Sequence, residues 1–279
     1  MNYKEKMFNT TIIYFIGQMG AKVLSFLLLP LYTNYISKDA YGYFDIMQVY
    51  LGIAIPVIFM EIWSGILRFS VEKREREGLE NVYSNAIALS AGLFCVFTAA
   101  YLIANHFLHF QYSGYIYLYA VVWLLDLILK SQCRGLGYNR VYAVSGMITT
   151  FLVAALSILC VFVFHMDIET LFLSNIIGFF VNDLYLVART KIYRYLKIRQ
   201  INREMLMTLL KFCLPLSINS VFYWILNSVN RVIIVNYLGV DANGSYAVAN
   251  KLGTIITVFV SIAMRPWAVC RRWRAVLTW

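Results

Sequence analysis

Apolar residues in this 279-residue chain do not alternate with polar ones but gather in long blocks, and some, such as the run from Phe151 to Phe164, are apolar on every side. A helix rising 1.5 Å per residue crosses a hydrocarbon layer of about 30 Å with about 20 residues. Runs near that length predict helices at 10–32, 43–67, 83–104, 115–133, 142–164, 171–189, 211–235 and 245–264. The fold class expected is therefore all-α, a polytopic transmembrane helix bundle. A membrane barrel would instead require short strands of alternating polarity. The first helix follows Lys4 and Lys6 as a signal peptide would, yet it is too long, carries Lys22 midway and lacks a small-residue cleavage site. It is expected to remain as a span.

Composition agrees: 61% of residues are apolar and 14% charged, against roughly 25% charged in an ordinary soluble domain. The formal charge of +10 raises nucleic acid as a partner, but its distribution answers otherwise. With the N-terminus inside, 20 of the 24 Lys and Arg residues fall in cytosolic segments, as the positive-inside rule requires of a bacterial cytoplasmic membrane protein. Basic charge placed by topology meets membrane lipids, and no nucleic acid is expected. The five cysteines are scattered and form no C-x-x-C pair, so neither a disulfide framework nor a zinc site follows. His106 and His109 read as polar loop residues, and no metal or cofactor is expected. There is no phosphate-binding glycine loop, no H-E-x-x-H and no nucleophile elbow. No catalytic residue is assigned and the chain is read as a non-enzyme.

A repeat organises the chain. Asn34-Tyr-Ile-Ser-Lys-Asp-Ala-Tyr-Gly42 and Asn236-Tyr-Leu-Gly-Val-Asp-Ala-Asn-Gly244 share Asn, Tyr, Asp, Ala and Gly at a constant offset of 202. Each copy joins two apolar helices, and the six spans between them leave both copies pointing the same way. Parallel repeats of this kind occur in secondary transporters that bind substrate between two halves. The domains expected are a six-helix N-terminal lobe over 1–190, a basic cytosolic linker over 191–210, two helices of a second lobe over 211–264, and a basic tail over 265–279. The tail reads as a premature end or a frame change, with a juxtamembrane anchor as the alternative. Weak or absent activity is expected of the chain alone.

Particular segments also resemble a known family. Lys22-Val-Leu-Ser-Phe-Leu-Leu-Leu-Pro-Leu-Tyr-Thr-Asn, Tyr41-Gly-Tyr-Phe-Asp and Glu61-Ile-Trp-Ser-Gly-Ile-Leu-Arg-Phe69 are similar to the opening of Wzx-type polysaccharide flippases. Phe212-Cys-Leu-Pro-Leu-Ser, Asn230-Arg-Val-Ile-Ile and Gly244-Ser-Tyr-Ala-Val-Ala-Asn-Lys251 are similar to the start of their second half. Where that family commonly has Asp-Arg, this chain has Asn230-Arg231. The resemblance implies the multidrug/oligosaccharidyl-lipid/polysaccharide exporter superfamily. It implies flipping of an undecaprenyl-diphosphate-linked oligosaccharide across the cytoplasmic membrane by alternating access between two lobes, with partners in polysaccharide assembly. A lipid II flippase or cation-coupled drug exporter of the same superfamily is the alternative, and a non-transporting membrane interaction protein the next.

Ionisable groups within spans are costly and usually face a bundle interior or aqueous cavity. Lys22, midway along the first helix, is placed to meet a diphosphate, with an internal ion pair as the alternative. Glu61 and Arg68, seven residues apart, would fall within about 20° on one helix face. Arg68 is expected to contact a headgroup or anchor at the interface, and Glu61 to pair with a lysine or carry a proton. Asp126 and Lys130 stand at i and i+4, the spacing of a structural ion pair. The resemblance implies cavity-facing positions for Arg231 and Lys251. Three bases (Lys22, Arg231, Lys251) against two acids (Glu61, Asp126) lean toward an anionic lipid-linked glycan as substrate. Asp183 receives no role. Pro30, Pro56 and Pro215 are expected to kink their helices, and the abundant aromatics to form interfacial belts.

Overall fold

A computed structural model describes residues 28–251 and 253. The helices are α1 (Leu29–Tyr35), α2 (Lys38–Ile58), α3 (Ile62–Glu72), α4 (Arg76–Leu108), α5 (Ser113–Gly135), α6 (Asn139–Phe162), α7 (Ile168–Thr190), α8 (Arg203–Leu238) and α9 (240–251). Among the described residues six of them, α2 and α4 to α8, are long and apolar enough to cross a membrane. Most of the first expected span, including Lys22, and the end of the last lie outside the described residues, as does the tail over 265–279.

Local chemistry explains where the helices start and stop. Ser37 caps α2 by accepting from the Ala40 amide, while its own amide and hydroxyl donate to Asp167 at 2.9 and 2.6 Å, tying the start of α2 to the start of α7. His109 ends α4 in the left-handed region (φ 48°) with its N–H on the Asn105 carbonyl, and Lys191 ends α7 in the same way. Pro30 lies in the first turn of α1 as described, a position where proline's missing N–H costs nothing, and the stretch ahead of it where a kink was expected lies outside the described residues. Pro56 and Pro215 do lie inside their helices.

The expected single helix over 43–67 is broken. Met60 and Glu61 both adopt left-handed conformations (φ 51° and 52°) between α2 and α3. Glu61 therefore precedes α3 instead of sharing a continuous helical face with Arg68. Pro56 lies one turn upstream and cannot donate to the Gly52 carbonyl, so the ladder is already weakened before the break.

α5 is the most enclosed span, packing on α3 and α7, and α4 and α8 are the most exposed. Large apolar side chains such as Phe151 and Leu226 stand outward, as a lipid-facing surface requires. The aromatics expected in belts are in good part internal. Phe44, Tyr115 and Tyr119 surround Phe172, and Phe97 packs with Phe59, Tyr101 and Tyr117.

The stretch between α7 and α8 is docked rather than loose. Ser84 accepts from the Lys197 amide at 2.8 Å, Asn85 donates to the Gln200 carbonyl and accepts from the Asn202 amide, both at 2.9 Å, and Asn202 caps α8 through the Met205 amide. α8 consequently begins at Arg203, ahead of the expected 211. From there it runs along α3 and α2: Cys213 packs on Gly65, Phe212 on Phe69, and Trp224 donates its indole N–H to the Val49 carbonyl at 2.7 Å.

Beyond α8 the two copies of the repeat meet. A Cβ on Gly42 would fall on the Val240 carbonyl, and a Cβ on Gly244 on the Lys38 carbonyl. Lys38 and Val240, like Gly42 and Gly244, are equivalent at the offset of 202, so the contact is reciprocal. Asn243 seals it by donating to the Gly42 carbonyl at 2.9 Å.

Candidate functional site

The line along which α8 crosses α2 opens midway into a cavity of about 520 Å³, which α5 and α7 complete. Its walls combine three kinds of side chain. Tyr119, Trp123, Phe179, Tyr223 and Trp224 supply aromatic faces; Gln48, Asn175 and Asn227 supply amides; Glu61 and Arg231 supply charge. Trp224 is fixed by its bond to Val49, and Gln48 donates to the Tyr119 hydroxyl at 2.9 Å. Gly52 and Pro56 also line the wall, so the carbonyl that Pro56 leaves without its helical donor belongs to a cavity residue.

Arg231 sits on the α8 side with its Nη1 3.4 Å from Asp45 Oδ1. Asn243 donates to the other carboxylate oxygen at 3.3 Å, which holds Asp45 between α8 and α9. The Arg231 Nε is buried with no hydrogen-bond partner among the described residues. Glu61, at the α2–α3 break, accepts from the hydroxyls of Ser64 (3.1 Å) and Ser220. Among the described residues its partners are two serines and not the expected lysine, because the left-handed turn aims Glu61 at α8.

A second cavity of about 390 Å³ adjoins the first through Gln48, Asn175 and Phe179, and Lys130 and Lys251 line it. Lys251 lies over the rings of Tyr41 (4.8 Å) and Tyr32 (5.5 Å). Lys130 bonds Asp126 at 2.6 Å, the pair expected from their spacing, while Asn182 donates to the second Asp126 oxygen at 2.8 Å. Arg68 reaches neither cavity; its guanidinium covers the Phe212 ring at 4.9 Å. Thus Glu61 and Arg231 come together in one cavity, Lys251 stands in the next, Arg68 stands apart, and Lys22 lies outside the described residues.

Two acids went unrecognised in the sequence. Asp45 closes the family-like segment Tyr41-Gly-Tyr-Phe-Asp45, which was its only signal. Asp183 is buried with both carboxylate oxygens lacking partners among the described residues, one position after an asparagine that serves Asp126. Counting them, four deep acids (Asp45, Glu61, Asp126, Asp183) stand beside three bases (Lys130, Arg231, Lys251) among the described residues. The lean toward anions from charge counting alone is gone. What distinguishes the first cavity is its lining of aromatic and amide side chains.

Comparison with known proteins places this arrangement. The profile of a family described as polysaccharide biosynthesis protein matches residues 8–267. A Haemophilus influenzae protein of the Lsg locus is 22% identical over 260 residues, 91% of this chain and 63% of that protein, so the chain spans less than two thirds of its curated relative. Among solved structures, MATE in complex with Br-NRF superposes with a TM-score of 0.60 at 20% identity, covering 94% of this chain and 74% of that one. MATE in complex with MaL6 gives a TM-score of 0.59 at 18% identity, covering 91% and 68%. At these identities the likeness is one of fold.

Proposed function

Because the chain belongs to the polysaccharide biosynthesis protein family, we propose that this multi-pass membrane protein moves an undecaprenyl-diphosphate-linked oligosaccharide across the bacterial cytoplasmic membrane by alternating access, without covalent chemistry. The observation that carries this reading is the makeup of the cavity at the α2–α8 crossing. Five aromatic residues and three amides beside Arg231 and Glu61 suit sugar rings, with Arg231 available to an anionic group. The reciprocal Gly42–Gly244 contact supports two lobes that rock about a pseudo-twofold axis, the N-terminal one over 1–190 and the second beginning within 211–264. The basic end of the bundle, with Arg74, Arg134, Arg189 and Arg194 together, faces the cytosol by the positive-inside rule, as does the N-terminus. Partners in polysaccharide assembly would supply the glycan and consume it.

A second reading keeps a specific observation of its own. The four deep acids favour a cation-coupled exporter of the same superfamily, since deep carboxylates mark ion and proton pathways. Binding to the purified protein in detergent separates the two. Under the first reading, undecaprenyl-diphosphate oligosaccharide quenches tryptophan fluorescence saturably, Arg231→Gln and Trp123→Ala each weaken it about tenfold or more, and tetraphenylphosphonium does not compete. Saturable tetraphenylphosphonium binding with no response to the glycolipid would instead support the exporter.

A further inference from the structure

Away from the cavity at the α2–α8 crossing, the basic end of the bundle is hollow. One depression of about 470 Å³ is lined by Arg74 and Arg76 from the α3–α4 turn and by Arg189, Lys191 and Arg194 from the end of α7 and the turn after it. A second of about 750 Å³ shares Arg74 and Leu79 with the first and adds Arg134 from the end of α5. No acid lines either one. Glu80, a buried carboxylate at this end, is already engaged by Arg76 at 3.1 Å and Lys197 at 2.7 Å.

Bases at this place have an ordinary use, which is to neutralise the carbonyl ends of α5 and α7. That use accounts for only some of them. Arg74 donates to the Val71 carbonyl and Arg134 covers the Tyr142 ring at 5.3 Å. The side chains of Arg189, Lys191 and Arg194 make no hydrogen bond or ion pair among the described residues. Three cations converging on one acid-free hollow repel one another unless an anion joins them. Guanidinium forks match phosphate oxygens in pairs, and basic pockets between helices at the membrane surface hold phosphate headgroups. We propose that this hollow is a binding site for a phosphate group, separate from the cavity at the α2–α8 crossing and independent of transport.

The same chemistry is offered by an anionic phospholipid headgroup and by a soluble phosphate, so the test carries both. The intact protein in phosphatidylcholine nanodiscs is given either phosphatidylglycerol, counted by native mass spectrometry, or inorganic pyrophosphate, read as a thermal-unfolding shift. Arg189→Gln/Lys191→Gln/Arg194→Gln is compared with the charge-matched Arg199→Gln/Arg203→Gln/Lys211→Gln, whose residues line neither hollow. Loss of three basic contacts is expected to weaken phosphatidylglycerol binding by about 100-fold, with less than about a threefold change in the control. If pyrophosphate alone shows this difference, the ligand is soluble; if phosphatidylglycerol does, it is lipid. Equal loss in both triple variants, or binding of neither probe, overturns the proposal. Should the first triple variant fail to fold, Arg194→Gln alone, on an exposed side chain, is expected to give about a fifth of the native affinity with unchanged melting in pure phosphatidylcholine.

Discussion

At the scale of single residues, the arrangement turns on Asp45 and Arg231. Breaking a buried ion pair by removing one partner leaves an uncompensated charge, and both side chains here are largely enclosed. Asp45→Asn is expected to cost about 3 kcal/mol in chemical unfolding, and Asp45→Asn/Arg231→Gln distinctly less than the sum of its two singles. Additive losses in that cycle would mean that the two groups do not interact. Glycines offer a second contrast of sign. Gly42→Ala, whose methyl falls on the Val240 carbonyl, is expected to destabilise by about 1–3 kcal/mol. Gly92→Ala has no atom within 4 Å of the new methyl and is expected to stabilise by about 0.5–1 kcal/mol in the same melt. The Asp126–Lys130 pair was legible in the sequence because helical spacing alone brings i and i+4 together. Asp45 and Arg231 were not, since their meeting depends on how α8 lies across α2.

At the scale of elements, helix ends carry information that hydropathy does not. Spans were legible to within several residues, but the break at Met60 and Glu61 is invisible to an apolar-run reading, because Met and Ile continue the run on either side. That break moves Glu61 off the face of Arg68 and onto the serines of α3 and α8. Its cost, two non-glycine residues in the left-handed region, is of the kind stored where function needs a particular side-chain direction. The histidines read as loop residues have a more definite place, His106 in the last turn of α4 and His109 just after it. His109 is the left-handed cap of α4 and exposed, so His109→Gly is expected to raise stability by about 1 kcal/mol in thermal unfolding. No change, or a loss, would show that its side chain makes a contact of value. The docked segment between α7 and α8 was read from its charge as a linker; only the hydrogen bonds of Ser84 and Asn85 reveal it as part of the bundle.

At the scale of the whole molecule, the repeat was the most informative feature of the sequence, because equivalence at a fixed offset survives where helix boundaries blur. The two copies meet through the backbone at Gly42 and Gly244, at the end of the bundle opposite the basic hollows. If the basic end is cytosolic, a cysteine at Asp167 is expected to react with a membrane-impermeant maleimide in intact cells, and one at Arg199 only after permeabilisation. The reverse pattern would invert the orientation. The central claim is that the α2–α8 cavity carries a lipid-linked glycan from one leaflet to the other. Its most direct test is a proteoliposome assay in which a fluorescent undecaprenyl-diphosphate oligosaccharide, confined at first to the inner leaflet, becomes reducible by external dithionite. Protein-dependent reduction that Arg231→Gln and Trp123→Ala suppress is the expected result; no protein-dependent reduction, in vesicles where the same protein still transports tetraphenylphosphonium, would contradict it.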